Sequence, residues 1–577
     1  MVRKIVQSPF NFRSSLLTAF LLLFFAAIVY RLFYLEVIRG SATRQQANLQ
    51  HSIYRKLLPS RGEIKLVDKL SGQAVPVATN AKSFLVYAVP GDILNSNLAA
   101  NGLGSVLGLD PKDILLKITQ TDKKYVPLKK QLTDTEQQKI KDLALPGIYF
   151  DSEDTRIYPE NNLLSQTLGF VGFNSQGLKS GLYGLERYFD KDLAGTPGEL
   201  VAEKDASGAQ IFGATMNEKP AQDGVNLILT VDKTIQFQVQ SVLSEMVTKN
   251  GADSGDIIVM NPKTGAILAI ASYPDFDPNS YGKAANPSVY NNQAVTGSYE
   301  PGSTFKAFTL AAAIDEGKIT PETTYTDTGR VAVDNYVIKN AEAGARGVQT
   351  MTQVLDWSLN TGAIFAENQL GNPDFLKYVK AFGFGKPTGI ELPEAKGDIS
   401  GLNGNIMVNY YTASFGQGIL VTPLQMLQAY GALANGGKMM KPYIVQSKIY
   451  PDGTIKNTQA QEVGQVVSQQ TASTIDAMLV DVVENGFGKQ AKVAGFYVAG
   501  KTGTAQVAQN GKYIVDDNIG SFIGFAPVEN PQFVMLIRVD HPRDANFAES
   551  TAVPPWGVLA QFILNYMQIP PTRTAGK

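Results

Sequence analysis

The sequence predicts a mixed α/β protein behind a single membrane-spanning helix, and three observations support this. An uncharged segment rich in leucine and phenylalanine lies near the N-terminus. Strand-like runs and turn residues alternate over the next part of the chain, and from residue 225 onward amphipathic helices alternate with β-runs. Because 577 residues exceed the usual size of one hydrophobic core, we expect at least two domains.

Residues 14–35 are predicted to be an uncleaved transmembrane signal anchor. The stretch from Leu16 to Leu35 would form a helix of about 30 Å, enough to cross a bilayer if Arg31 snorkels to the interface. No clear small-residue cleavage site follows, and the alternative is a buried soluble helix. Basic residues flank both ends equally, so charge does not set the orientation: Arg3, Lys4 and Arg13 on one side, Arg31, Arg39 and Arg44 on the other.

The rest of the chain is predicted to divide near Ala221–Gly224. The expected parts are a cytoplasmic tail over residues 1–13, a non-catalytic region over 40–220, a C-terminal domain over 225–568 and a disordered tail over 569–577. Local patterns predict these elements: a strand over Phe84–Val89, a helix around Ile235–Met246, a hairpin with Lys263 at its tip, a helix capped by Thr422 with Pro423 at its first position, a strand over 532–539 and a last helix over 557–567.

Composition excludes several classes of protein. The chain has no cysteine and only two histidines, His51 and His541, which argues against thiol nucleophiles, disulfides, zinc sites and a Ser-His-Asp triad. We therefore expect no metal and no cofactor. The net charge is −1, from 51 basic and 52 acidic residues, so the chain lacks the excess of positive charge that is typical of nucleic-acid-binding proteins.

Three short motifs follow one another in an informative order. They are Ser303–Lys306, with the form S-x-x-K, then Ser358–Asn360, with the form S-x-N, and finally Lys501–Gly503, which reads K-T-G. In this order they are typical of an active-site serine acyltransferase that works without histidine. Lysine is then the candidate general base.

The S-x-x-K and K-T-G motifs each occur a second time, and context separates the copies. Ser280–Lys283 follows Pro278 without helical periodicity, so we interpret it as a loop. Lys263–Gly265 joins two β-runs as a hairpin tip. In contrast, apolar residues follow Ser303 at helical spacing, which predicts that Ser303 opens a helix with Lys306 on the same face.

These motifs and their surroundings resemble the class B penicillin-binding proteins, which are membrane-anchored peptidoglycan D,D-transpeptidases. Seven segments of this chain are similar to landmarks of that family: Arg61–Ile64, Arg156–Pro159, Gly184–Glu186, Asn261–Ala266, Tyr299–Lys306, Gly416–Gly418 with Thr422-Pro423, and Gly500–Ala505. One departure is that a longer stretch with Asp68 and Ser71-Gly72 replaces the usual D-R-N-G turn after Ile64.

The resemblance implies an elongated non-catalytic pedestal and a transpeptidase domain with helices around a five-stranded antiparallel sheet. It also implies roles for the motif residues. Ser303 would attack the D-Ala-D-Ala carbonyl of a stem peptide, Lys306 would accept the serine proton, and Ser358 would relay a proton to the leaving amine. Asn360 would hold Lys306 and the substrate amide. The remaining roles are the oxyanion hole, from the backbone NH groups of Ser303 and Thr504, and binding of the terminal carboxylate, by Lys501, Thr502, Gly503 and Thr504.

The resemblance further implies a single-pass protein of the cytoplasmic membrane, with the N-terminus in the cytoplasm and the catalytic domain outside. Its expected partners are peptidoglycan stem peptides, β-lactams as covalent inhibitors, a SEDS-family glycosyltransferase and other division proteins. Glu300 resembles the division-specific branch, so we expect a role at the septum. The alternatives are an elongation-specific transpeptidase, a serine β-lactamase and an inert scaffold of the wall-synthesis complex.

Overall fold

The computed structural model describes residues 9–41, 52–68, 72–203, 216–284, 286–342, 344–404, 406–509, 512–544 and 547–573. Several predicted features therefore lie outside the described residues. They are His51, Ser71, residues 1–8 of the predicted cytoplasmic tail and residues 574–577 of the predicted C-terminal tail. The chain folds into two compact units, Met1–Pro59 with Gly195–Asp223 and Ser60–Ala194 with Gly224–Lys577. Each unit is described by itself.

The first unit contains the apolar helix. The helix covers Pro9–Phe33 and continues as a π-helix over Tyr34–Ile38. The span Phe12–Ile38 has a mean hydropathy of 2.3, and its leucine and phenylalanine side chains are exposed. Among the described residues it is the one helix long and apolar enough to cross a bilayer, so it fits a single-pass membrane anchor. The other elements of this unit form a three-stranded antiparallel sheet, in the order Ser52–Leu57, Gly198–Glu203 and Met216–Lys219.

The second unit begins with a seven-stranded sheet. Six of its strands follow one path, Ile455–Asn457, Val445–Ile449, Asn226–Asp232, Ile64–Val67, Ala74–Ala88 and Val126–Leu132, and Ile148–Ile157 pairs with Ala74–Ala88. The strand predicted over Phe84–Val89 is confirmed up to Ala88, as the end of the Ala74–Ala88 strand, and Val89 lies just beyond it. Three helices share a hydrophobic cluster with this end of the sheet, Ser96–Leu107, Pro111–Ile118 and Asp134–Asp142.

The three N-terminal landmark segments converge on one buried carboxylate. Glu186 is completely buried, and its two oxygens accept from Arg61 at 2.6 Å and from Arg156 at 2.7 Å. Arg156 also donates to Asn80. A buried carboxylate is tolerated only when it is paired and hydrogen-bonded, so this cluster fixes three segments that are distant in sequence.

A five-stranded antiparallel sheet forms the centre of the C-terminal region, as predicted. Its strands follow the order Ile267–Tyr273, Ser254–Met260, Phe533–Asp540, Lys512–Ala526 and Ala499–Gln509. The hairpin at Lys263 and the strand predicted over 532–539 are therefore confirmed. The last strand, Ala499–Gln509, is called the KTG strand below.

Two helices share one core with the sheet. Lys233–Lys249 confirms the predicted helix, and Val553–Tyr566 replaces the prediction of 557–567. The second helix begins earlier because its two prolines lie in the first turn, where a missing backbone NH costs nothing. Trp556 is fully buried in this core, and its indole NH donates to the carbonyl of Met535 at 2.9 Å.

The remaining helices of the C-terminal region, apart from Ala548–Thr551, contribute buried residues to a larger hydrophobic cluster. Thr422 caps one of them in a capping box with Pro423 in the first turn, as predicted. The helices cover Gln293–Thr296, Lys306–Asp315, Met351–Asp356, Asn360–Leu370, Asn372–Ala381, Met407–Ser414, Pro423–Ala434, Gln469–Glu484 and Ala548–Thr551. Short helices precede the C-terminal region in the sequence, at Ser165–Leu168, Gly184–Tyr188 and Asp190–Ala194. The remaining short strands pair two by two: Val171–Phe173 with Lys179–Gly181, Thr324–Asp327 with Gly347–Thr350, Arg330–Val333 with Tyr336–Lys339, and Lys438–Met440 with Glu462–Gln465.

Candidate active site

Ser303 lies in a tight turn at the start of a buried helix. A 3-10 turn covers Gly302–Phe305, and the α-helix starts at Lys306, so Ser303 opens the helix one turn before regular geometry begins. Gly302 has a φ of +55°, and a Cβ on Gly416 would lie 2.2 Å from the Gly302 carbonyl oxygen. Two glycines therefore allow the backbone to place the serine at this point.

The Lys306 amine contacts both serines of the motifs. Its Nζ lies 3.0 Å from Ser303 Oγ, 2.5 Å from the Ser358 carbonyl oxygen and 3.3 Å from Ser358 Oγ. Lys306 is completely buried. Burial first, and the charge of Lys501 second, hold the pKa of Lys306 well below its usual range. A neutral amine next to a serine hydroxyl can accept its proton.

Ser358 lies in a strained connection between two helices, Met351–Asp356 and Asn360–Leu370. Its φ is +53°, a conformation that residues other than glycine adopt rarely. The strain places Ser358 Oγ between the amines of Lys306, at 3.3 Å, and Lys501, at 3.0 Å. A hydroxyl that contacts two amines can pass a proton between them and a leaving group.

Lys501 is fully buried on the KTG strand, which is the edge strand of the central sheet. Its Nζ contacts Ser358 Oγ at 3.0 Å and both the carbonyl and the hydroxyl of Thr502 at 3.3 Å. Burial lowers the pKa of Lys501 to about 8, although the carboxylates of Glu549 and Asp356 act in the opposite direction. Of the two amines, Lys306 is therefore the one that loses its proton more readily.

Gly503 brings the KTG strand against the Ser303 turn. A Cβ at Gly503 would lie 2.6 Å from Ser521 Oγ and 2.9 Å from the Pro301 carbonyl oxygen. On the same strand, Thr504 is half-buried and its hydroxyl accepts from the Ala548 NH at 3.3 Å. Only glycine fits between the sheet edge and the turn. The third residue of K-T-G is therefore glycine because the two backbones approach closely there.

Asn360 is oriented differently from the expectation. Its carboxamide donates to the Lys339 carbonyl oxygen at 2.8 Å, and none of the hydrogen bonds among the described residues joins it to Lys306. Asn360 is the first residue of its helix, and its side chain turns toward the neighbouring strand Tyr336–Lys339. Lys306 is held by Ser358 instead.

The second copies of the motifs lie elsewhere, as interpreted from sequence. Pro278–Lys283 forms two short 3-10 turns where we expected a loop, and Ser280 lies at the non-helical kink between them, with a φ of −126° and a ψ of 30°. Lys263 lies in the hairpin turn and donates to Asn530. His541 contacts Asp517 through Nδ1 at 2.5 Å, and no hydrogen bond of the described chain joins it to the motif residues.

Sequence reasoning missed the carboxylates around Lys501. The charges of Glu549 and then Asp356 raise the pKa of this lysine against the effect of burial. Burial, and then Asp481, raise the pKa of Asp356 to about 8. Asp356 lies two residues before Ser358, and that closeness was the available signal. Glu549 and Asp481 belong to separate helices, so no local pattern could connect them to the site.

Comparisons with known proteins agree with this geometry. The model of the penicillin-binding protein transpeptidase domain matches residues 255–559, and the model of the penicillin-binding protein dimerisation domain matches residues 56–229. Stage V sporulation protein D of Bacillus subtilis is 36% identical over 566 residues, which cover 96% of this chain and 86% of that protein. The peptidoglycan D,D-transpeptidase FtsI homolog of Mesostigma viride is 28% identical over 570 residues, which cover 94% of each chain.

A solved structure is similar over most of the chain. Penicillin-binding protein 3 of Mycobacterium tuberculosis, complexed with aztreonam, aligns with a TM-score of 0.69 and 25% identity, over 91% of this chain and 100% of that one. The fold, the serine-lysine site and these matches together define a serine acyltransferase. The chain belongs to the class B penicillin-binding proteins. It is a peptidoglycan D,D-transpeptidase with a dimerisation-type domain before its transpeptidase domain.

Proposed function

We propose that Ser303 is the nucleophile of this transpeptidase and that neutral Lys306 is its general base. The observation that carries the proposal is the 3.0 Å contact between the buried Lys306 amine and Ser303 Oγ. In the first step the hydroxyl proton moves to Lys306, and the serine oxygen bonds to the carbonyl carbon of the penultimate D-alanine. Backbone NH groups of Ser303 and Thr504 stabilise the oxyanion.

The remaining roles follow from the positions of the polar groups. Collapse of the intermediate breaks the peptide bond, and Ser358 delivers the proton to the nitrogen of the departing D-alanine. Lys501, with Thr502 and Thr504, binds the terminal carboxylate of the donor peptide, and Asn360 contacts the donor amide from the helix start. An amine from a second stem peptide then attacks the acyl-enzyme and releases Ser303, and the new amide is the crosslink.

The test of this proposal is covalent labelling by a penicillin, which imitates the donor peptide. The full-length protein in detergent is expected to gain one penicilloyl group on Ser303. A protein that is not labelled, or that is labelled at another serine, would overturn the assignment. Ser280 is the internal control because it carries the same S-x-x-K spacing without the helical geometry.

We also propose that the enzyme serves septal wall synthesis. Support comes from Glu300, which resembles the division-specific branch and whose carboxylate accepts from the Gly418 NH at 2.9 Å. In a rod-shaped host, depletion should give filaments with blocked septa. Rounded cells would instead assign the enzyme to elongation.

A second candidate function is wall synthesis during sporulation. The 36% identity to stage V sporulation protein D favours it. Depletion of the protein in a spore-forming host separates the two candidates. A defect confined to spores, with normal division during growth, would support sporulation and contradict the septal role.

The predicted topology and partner remain parts of the proposal. The apolar helix would hold the enzyme in the cytoplasmic membrane with the transpeptidase domain, residues 225–568, outside, because its substrate lies there. The region 40–220 would be the pedestal, and a SEDS-family glycosyltransferase would supply glycan strands beside it. A reporter fused after the last residue that is active only outside the cytoplasm should be active.

A further inference from the structure

A buried ion pair lies in the middle of the central sheet, and the steps proposed for Ser303 do not use it. Arg538 is on the strand Phe533–Asp540 and is 3% exposed. Asp256 lies directly opposite on the neighbouring strand and is completely buried, and one of its oxygens lies 2.5 Å from Nη2 of Arg538. Nε of Arg538 also lies 3.3 Å from Asp540. A buried guanidinium is costly unless carboxylates compensate its charge, so this arginine and its partners hold one another in place.

The arginine also contacts the segment that leads to the nucleophile. Its Nη1 donates to the Gly297 carbonyl oxygen at 3.3 Å, and its guanidinium carbon lies 5.0 Å from the centre of the Tyr299 ring. A guanidinium over an aromatic ring is attracted to it, and the attraction is stronger where water is excluded. A Cβ on Gly297 would lie 3.1 Å from Nη2 of Arg538, so the backbone approaches this side chain closely. Arg538 therefore contacts two residues that shortly precede Ser303 in the chain.

The partner carboxylate reaches the other end of the same segment. The second oxygen of Asp256, Oδ1, accepts from the Ser272 hydroxyl at 2.5 Å. That hydroxyl accepts in turn from the Ala294 NH at 3.3 Å, in the first turn of the helix Gln293–Thr296. Gly297, whose carbonyl accepts from the guanidinium, is the residue that ends this helix. The ion pair therefore holds both ends of the short helix that precedes the Ser303 turn.

Other contacts of this segment lead to a different part of the domain. Tyr299 and Val421 exchange two backbone hydrogen bonds of 2.9 Å, and the Gly302 NH donates to the Gly416 carbonyl oxygen at 3.0 Å. Both partners belong to the connection between two helices, not to the central sheet. The sheet carries the KTG strand, so the contacts of Arg538 join the nucleophile segment to the same sheet that supplies the other side of the active site.

We propose that Arg538 is a positioning residue: with Asp256 it holds the segment from Gln293 to Tyr299 against the central sheet and so sets the place of Ser303 relative to the KTG strand. This inference rests on the proposed role of Ser303 as the nucleophile. Arg538 acts through the backbone and contacts neither the substrate nor the reacting atoms. Attack on a carbonyl requires close alignment of the serine oxygen with the oxyanion donors, and a misplacement of about 1 Å can lower the rate about 10²-fold.

The test removes both members of the pair, because a single substitution would leave an unpaired buried charge. In Asp256→Asn/Arg538→Met the new amide can still accept from Ser272, and Asp540 keeps its hydrogen bond from Ser254. Stopped-flow labelling of the full-length protein in detergent with a fluorescent penicillin separates the non-covalent dissociation constant from the first-order acylation rate constant.

The two constants should respond differently to this double substitution. We expect the acylation rate constant to fall about 10²-fold, because the serine is no longer aligned. The dissociation constant should change less than about twofold, since the carboxylate-binding residues of the KTG strand are unaltered. Arg538→Lys should give an intermediate rate constant, because one amine can pair with Asp256 but cannot also reproduce the flat, forked contacts with Gly297 and Tyr299.

Glu186→Gln is the matched control. Glu186 also forms a buried carboxylate–guanidinium cluster, but its side chain contacts Arg61, Arg156 and Tyr158, which lie outside the nucleophile segment. Its replacement should lower the melting temperature and leave the acylation rate constant of the folded protein unchanged. The control therefore separates a loss of stability from a loss of alignment.

The outcomes separate this inference from the proposed function. A parent protein that penicillin does not label on Ser303 contradicts the proposed function itself. A labelled parent whose acylation rate constant equals those of both Arg538 variants overturns only the positioning role, whatever their melting temperatures. A weaker non-covalent complex with an unchanged rate constant would also overturn it. If the double variant does not fold, Arg538→Lys alone decides, and a parent-like rate constant in that variant contradicts the inference.

Discussion

The amines of Lys306 and Lys501 are both completely buried and both contact the hydroxyl of Ser358, at 3.3 and 3.0 Å. Two like charges cannot share one serine in a dry site at low cost, so one amine must be neutral. Burial and its neighbour lower the pKa of Lys306 furthest, so Lys306 is the neutral one. Lys306 can therefore act as the base, and Lys501 can bind an anion.

Removal of the Lys306 amine should affect rate far more than folding. We expect Lys306→Ala to lower the rate of penicillin acylation about 10³-fold, because the serine loses its general base. Lys283→Ala is the control, since Lys283 occupies the same place in the second S-x-x-K motif and is exposed. Stopped-flow labelling gives the rates, and thermal melting checks the fold. Near-parent acylation by Lys306→Ala would require another base.

The acylation rate should form a bell against pH. At low pH Lys306 becomes an ammonium and cannot accept the serine proton; above about pH 8, Lys501 loses the charge that binds the donor carboxylate. Loss of the Lys501 proton cannot lower the rate by unfolding the protein. The folded pKa of Lys501 lies below its usual value, so this group makes the free energy of unfolding rise between pH 8 and 10.5. A rate that still increases above pH 9 would refute the role of Lys501.

A methyl group at Gly503 should separate the KTG strand from the Ser303 turn. We expect Gly503→Ala to lower acylation about 10²-fold, since the new Cβ would lie 2.6 Å from Ser521 Oγ. Gly464→Ala is the matched control, because a Cβ there meets nothing within 4 Å. Equal acylation rates for the two variants would show that close approach of this strand is not required.

The buried carboxylate of Glu186 should contribute to stability and not to chemistry. Glu186→Gln leaves two arginines without their carboxylate, and we expect a loss of about 3 kcal/mol in the free energy of unfolding. Glu462→Gln, which removes an exposed ion pair with Lys438, should change that free energy by less than about 1 kcal/mol. Denaturant titration measures both. A stable Glu186→Gln variant would show that the three landmark segments do not depend on this cluster.

Local signals in the sequence predicted much of the C-terminal fold. The hairpin at Lys263 and the Thr422 cap depend on neighbouring residues, so periodicity and turn chemistry were sufficient. The motif order correctly predicted that Ser303, Lys306, Ser358 and Lys501 lie together.

Long-range pairing was beyond the reach of the sequence. Glu186 meets Arg61 across 125 positions, and nothing local marks that contact. The direction of the Asn360 side chain depends on a neighbouring strand, and the effect of Asp481 on the pKa of Asp356 depends on how two helices meet. In each case the deciding atoms come from segments distant along the chain.

The most direct test of the central claim is peptide mass spectrometry of the full-length protein after treatment with a penicillin. The account predicts one penicilloyl adduct, on the peptide that contains Ser303, and none after Ser303→Ala. The peptide that contains Ser280 should stay unmodified in both proteins. An adduct that persists in Ser303→Ala, or that appears on another serine of the parent, would contradict the claim that Ser303 is the nucleophile.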